Sequence, residues 1–103
     1  SDALRQSLLR ESARLERAAL GAKDALAHLD TGPLPEAERA VRLANDGYAR
    51  GAFSYLDVLD AQRLLFDLRE QRLDFLRNYH LAEAALARLQ ARNLPATLQE
   101  TAP

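Results

Sequence analysis

The chain has no cysteine in 103 residues, which excludes a disulfide framework and thiolate chemistry. That absence leaves the redox compartment open, since periplasmic proteins also do without cysteine. It has no excess of either charge: 15 acidic side chains stand against 14 basic ones, so no net field marks a nucleic acid or an anionic membrane as partner. No apolar run approaches the roughly 20 residues that carry a helix across a bilayer. No alternating pattern suggests a membrane barrel strand either, so this segment is not expected to be membrane-embedded. No initiating methionine or signal peptide opens the sequence, and its start is expected to be processed or a boundary within a longer chain. Aromatics make up 6% and glycine occurs four times, against 48% hydrophobic residues. What is there is Ala, Leu, Arg, Glu and Asp, good helix formers with capping residues among them, which is an all-α composition.

The chain is organised around a reversal at Gly51. Ser54 followed three residues later by Asp57 reads as an N-cap, its hydroxyl and the carboxylate placed to satisfy the free amides of a first helical turn. Phe53 and Val58 stand at the spacing of a hydrophobic staple. Gly51 brings the conformational freedom of a tight turn. Upstream, Leu4, Leu8, Leu15, Ala18, Ala22, Ala25 and Leu29 recur at three- and four-residue steps and predict a helix over about 2–29. Its stripe is narrow and rich in alanine, so its partner must approach closely. Gly32, Pro33 and Pro35 interrupt the pattern, and Pro35 with Glu36 and Glu38 restarts a helix over about 35–50, with Ala37, Ala40, Val41, Ala44 and Tyr48 on its apolar face.

From Ser54 to Ala91 the pattern runs unbroken for roughly 55 Å at 1.5 Å per residue. One seam holds Val58, Ala61, Leu65, Leu68, Phe75, Tyr79, Ala82, Leu86 and Leu89, interrupted by Arg72. A second holds Leu56, Leu59, Phe66, Leu73, Ala84 and Ala87, together with Arg63, Glu70, Arg77 and His80. At about 100° per residue the two lie well apart around the axis, so this helix is expected to have neighbours on both sides. A third row, Asp57, Asp60, Leu64, Asp67, Gln71, Asp74 and Asn78, is mostly acidic or amide, and the remaining row is mixed. A two-helix coil needs one seam, whereas a stave in a closed ring of helices needs one on each flank. The acidic row then faces the inside or the outside of such a ring, or is simply a solvated face. Asn93 and Pro95 end the helix and 92–103 reads as a tail. The expected fold is all-α: a long antiparallel helical hairpin over 1–91 with a proline-interrupted ascending helix and a tip at 51–53.

The stretch Gly47-Tyr-Ala-Arg-Gly-Ala-Phe-Ser-Tyr-Leu-Asp-Val-Leu-Asp-Ala-Gln-Arg63, followed by the Leu/Ala helix through Leu89, resembles the C-terminal periplasmic hairpin of TolC-like outer membrane efflux proteins. The Phe53 to Arg63 portion looks most like the heavy-metal-efflux branch. The resemblance implies a trimeric channel of a Gram-negative outer membrane, with a periplasmic α-barrel of which this hairpin is a stave. It implies further that Asp57 and Asp60 form rings narrowing the entrance, where three copies repel one another and bind cations. The acidic row through Asp67 and Asp74 continues from them. The tip, Arg50, Gly51, Ala52, Phe53 and Ser54, is then expected to face the periplasmic adaptor protein and the inner membrane pump. The chain carries neither membrane strands nor a second hairpin, so it is expected to be a piece of such a channel.

Other constellations point less far. His28 and His80 lie almost equally far either side of the turn, so an antiparallel hairpin could bring them level, but no third ligand completes a zinc site and no metal site is expected. Tyr48, Tyr55 and Tyr79 read as packing residues. Arg63, Arg69, Arg72 and Arg77 spread around the helix rather than forming a nucleic-acid face, and pairing with Asp67, Glu70 and Asp74, within and between helices, is expected. No nucleophile stands with a base and no glycine loop cradles phosphate, so neither an enzyme nor a cofactor is expected. A free-standing coiled-coil interaction module is the alternative to a channel segment, and a small metal-binding bundle a third reading. Taken alone, the hairpin cannot bury both seams, and self-association or a collapsed three-helix packing is expected.

Overall fold

The computed structural model describes residues 1–92. Helix α1 spans Asp2–Thr31, α2 Pro33–Ala49 and α3 Tyr55–Arg92. Among the described residues there is no strand. α1 and α2 follow end to end as one ascending arm, and α3 returns beside both, giving a rod of 71 × 29 × 18 Å. A collapsed three-helix packing is therefore not adopted. The expected tail lies, beyond Arg92, outside the described residues.

The interruption of the ascending arm is shorter than its sequence suggests. α1 continues through Thr31 and α2 starts at Pro33, leaving only Gly32 outside helical geometry at φ −139°, ψ −84°. The reason is that the first-turn amides of any helix lack a partner in their own helix. Prolines at Pro33 and Pro35 therefore remove donors that α2 would not have used. Its first bond runs from the Glu36 amide to the Gly32 carbonyl, 3.1 Å. On the other side the Thr31 hydroxyl donates to the Ala27 carbonyl at 2.7 Å and so closes the last turn of α1.

The first seam of α3 is the one the hairpin buries. Val58, Leu65, Ala82, Leu86 and Leu89 are buried, and Ala61, Leu68, Phe75 and Tyr79 half-buried, against Leu15, Ala19, Ala22 and Leu29 of α1 and Ala37, Ala44 and Gly47 of α2. Five of those seven ascending-arm residues are alanine or glycine, so the arms lie close, as the narrow stripe requires. In detail the stripe differs from its sequence reading. Between Leu15 and Ala22 it takes the four-residue step first, which buries Ala19 and turns Ala18 outward. Leu4, Ala40 and Tyr48 are exposed as well.

Arg72, the charged residue in the seam, reaches across to α1. Its Nε and Nη2 donate to the two carboxylate oxygens of Asp30 at 2.8 and 3.1 Å, a forked pair joining residues far apart in the chain. Pairing between helices is among the expectations, but the partner is Asp30 rather than Asp67, Glu70 or Asp74; Arg77 does pair with Asp74, at 2.8 Å. The hydrogen bond from Arg72 holds the Asp30 carboxyl below its usual range, against an opposing desolvation and with a smaller assistance from the guanidinium charge.

A depressed folded-state pKa means that the pair stabilises the fold above the ordinary carboxylate value of about 4 and stops doing so as pH falls through the lower folded value. Asp30→Asn is therefore expected to lower the urea midpoint at neutral pH and to leave it nearly unchanged well below that value. An equal loss at both pH values would show that the carboxylate charge is not what matters.

Candidate functional site

The turn between α2 and α3 is closed by hydrogen bonds at both ends. Arg50 caps α2 at φ −92°, ψ 0°, and Gly51 follows at φ 75°, in the left-handed region that favours glycine. The Gly51 amide donates to the Tyr48 carbonyl at 3.0 Å and the Ala52 amide to the Gly47 carbonyl at 2.7 Å, the two bonds of a Schellman ending. The Phe53 amide shares the Gly47 carbonyl at 3.2 Å. These bonds bring the Phe53 ring down on Gly47, where a β-carbon would stand 2.8 Å from the ring's Cγ. No side chain fits at Gly47 while the ring stays.

α3 starts with a reciprocal cap. The Asp57 amide donates to Ser54 Oγ at 3.3 Å, and Asp57 Oδ2 accepts from the Ser54 amide at 2.9 Å and the Ser54 hydroxyl at 3.1 Å. Tyr48 and Tyr55 meet across the turn, ring centroids 5.5 Å apart and tilted by 53°. Between them Arg50, Gly51, Ala52, Phe53 and Ser54 are all exposed, and Leu56 shows 64% of its surface. The tip is thus a held loop with an apolar, partly aromatic surface.

Asp57 and Asp60 lie three residues apart on one unbroken helix and both are exposed. They point to neighbouring sectors of one side, about 60° apart at 100° per residue. Asp57 carries its capping bonds as well, so one of its oxygens is engaged while Asp60 has no such duty. Further along, Asp67 is exposed and Asp74 is held by Arg77.

The second seam of α3 finds no partner within the hairpin. Leu56, Leu59, Phe66, Leu73, Ala84 and Ala87 are all exposed, Phe66 by 61%. The outer side of the ascending arm shows Leu9, Leu20 and Leu43 in the same way. Apolar faces thus remain on both arms of the rod.

The histidines are not brought level. Leu15 packs with Leu86 and Leu89, Asp30 meets Arg72 and Tyr48 meets Tyr55, and at that constant offset His28 falls beside Asp74 rather than His80. His80 instead contacts the ring of Tyr79 edge-on, centroids 5.4 Å apart. Among the described residues no group of three or more His, Cys, Asp or Glu is placed to hold a metal ion. No helix of the described residues is long and apolar enough to cross a membrane.

Sequence reasoning found Ser54, Asp57 and Gly51 in these local roles and missed the structural part of Gly47. A signal was available: glycine inside a helix costs about 1 kcal/mol relative to alanine, so its presence there hints at a close approach.

Comparison with known proteins adds a family. The model of the family described as outer membrane efflux protein matches residues 1–92. The cobalt-zinc-cadmium resistance protein CzcC of Cupriavidus metallidurans is 44% identical over 59 residues, which is 57% of this chain and 14% of that protein. The aligned part is thus a small share of that relative's length. No solved structure matches.

Gly47→Ala is expected to destabilise the hairpin by about 1–3 kcal/mol, the usual cost of forcing extra volume into a packed contact. Adding Phe53→Ala should return most of it in a thermal or urea melt. Ser54→Ala should cost about 1 kcal/mol through loss of the cap. Additive losses in the Gly47/Phe53 pair would show that the ring does not rest there.

Proposed function

The chain belongs to the outer membrane efflux protein family, and on that premise we propose that it is the pump-facing periplasmic hairpin of an efflux channel in a Gram-negative outer membrane. Three copies, with the rest of the channel, stand side by side as staves of an α-helical barrel. The observation that carries this reading is α3: 38 residues without a break, one apolar seam used within the hairpin, a second left wet, and a carboxylate row between them. A neighbouring stave covers the second seam. The carboxylates of Asp57 and Asp60 then line the narrow end of the passage, where their mutual repulsion is relieved by passing or resident cations. Asp67 and Asp74 continue that lining away from the tip.

The tip at Arg50, Gly51, Ala52, Phe53 and Ser54 meets the periplasmic adaptor, which couples the channel to an inner membrane pump. Its closed hydrogen bonding supports this role, because a loop held by its own backbone loses little entropy on docking. The named role of the similar protein in cobalt, zinc and cadmium resistance makes divalent metal ions the favoured cargo. Passage requires charge and aperture, not bond-making, and the segment acts in transport without a catalytic role or cofactor of its own.

In the full-length channel, Asp60→Asn should reduce the preference for cations over anions in single-channel recordings, and adding Asp57→Asn should reduce it further. Asp60 is the cleaner probe because it takes no part in the cap. Selectivity unchanged in both variants would remove the constriction from this reading. On the flank, Phe66→Glu with Leu73→Glu should weaken assembly in analytical ultracentrifugation while the far-ultraviolet helical signal is kept. Normal assembly of that variant would show that the second seam is not an interface between staves.

A further inference from the structure

The ascending arm is discontinuous at one place, Gly32, which stands opposite a stretch of α3 that holds no fully buried residue. Gly32 leaves helical geometry with no side chain capping α2, and Pro33 and Pro35 offer no amides to the carbonyls of Leu29 and Thr31. No backbone hydrogen bond can therefore join Leu29 or Thr31 to those two positions of α2. On the opposite arm, the buried residues of α3 fall into two groups: Val58 and Leu65 towards the tip, and Ala82, Leu86 and Leu89 towards the far end. The sixteen positions between Leu65 and Ala82 contain no buried residue and only half-buried ones such as Leu68, Phe75, Leu76 and Tyr79. On the ascending side Leu29 and Ala37, 4% and 3% exposed, are buried on either side of the joint, so each half stays packed on α3 up to it.

Arg72 stands in this stretch of α3, in a position where the seam calls for an apolar residue. Its fork to Asp30, two residues before Gly32, ties α3 to the last turn of α1. We propose that the Gly32–Pro33 joint is a hinge between two separately packed halves of the rod, and that the Asp30–Arg72 pair is the latch that sets its angle. A leucine at 72 would glue the joint by packing in no particular direction, and opening it would wet apolar surface. A forked ion pair fixes one geometry through two directed bonds. When it parts, two groups already about one-third exposed return to water at small cost. The register is the same on both sides of the joint, so the halves can change angle without slipping along α3.

The consequence for transport rests on the efflux reading: α2, the tip and the first turns of α3 would swing together as the unbroken α3 curves through 66–81, and change the width of the entrance. The hinge itself does not depend on that reading. Spin labels on Lys23→Cys and Arg42→Cys, both exposed, span the joint in the intact protein, diluted with unlabelled copies. A control pair at Arg10→Cys and Lys23→Cys lies within α1. Asp30→Ala and Arg72→Gln are each expected to broaden and shift the distance distribution across the joint and to leave the control pair as it was. Exchanging the charges, Asp30→Arg with Arg72→Asp, should narrow it again. No broadening in the single variants overturns the latch. Equal broadening of both label pairs overturns the hinge, because the pair would then only hold the fold together. Channel selectivity that ignores Asp57 and Asp60 would sink the constriction and leave these distances untouched.

Discussion

Phe53 can lie across Gly47 only because that position has no side chain, and this contact fixes the direction in which α3 leaves the turn. The amides of Ala52 and Phe53 on the Gly47 carbonyl and the Ser54–Asp57 cap complete the constraint. Once the exit direction is set, the partnering of the two arms follows to the far end of the rod. Asp30 reaches Arg72 and Leu15 reaches Leu86 at the offset that the tip dictates. A hairpin of alanine-lined helices has little tolerance for error in that offset, since small side chains interlock over short distances and a slipped pairing leaves gaps on every turn.

The same closeness explains why the rod is sticky on the outside. Ala19, Ala22, Ala37, Ala44 and Ala82 share the interior with Leu15, Leu29, Val58, Leu65, Leu86 and Leu89, and the apolar groups Leu9, Leu20, Leu43, Phe66 and Leu73 are left on the surface. Burying a leucine or phenylalanine side chain is worth about 1.5–3 kcal/mol, so a row of them left in water is a standing drive towards association. That exposure suits the stave role proposed for this member of the outer membrane efflux protein family.

Charge is used locally and at few points. Asp57 closes the first turn of α3 and also stands at the head of the acidic row, so one residue serves the fold and the proposed passage together. Asp74 is tied to Arg77, and Arg14 donates to Glu11 through Nε at 3.0 Å, both along one helix, so neither pair bears on how the arms meet. Asp30 and Arg72 differ because they join two helices at the one place where backbone continuity fails.

Residue spacing alone determined the all-α hairpin, the two seams of α3, the cap at Ser54 and the turn at Gly51, because each depends on neighbours within a few positions in the chain. Helical periodicity and capping are local physics, legible without coordinates. Only the tertiary structure decided which seam is used up inside the hairpin, that Ala19 rather than Ala18 faces in, that Gly47 makes room for Phe53, and that Arg72 finds Asp30 and not a carboxylate on its own helix. Each of these depends on the offset between the arms, and a shift of one residue turns a helical side chain by about 100° while barely changing the pattern of spacing. The histidines show the same limit: the arms pair almost symmetrically about Gly51, and His28 lies 23 residues before it but His80 29 after it, so the six-residue difference keeps them apart.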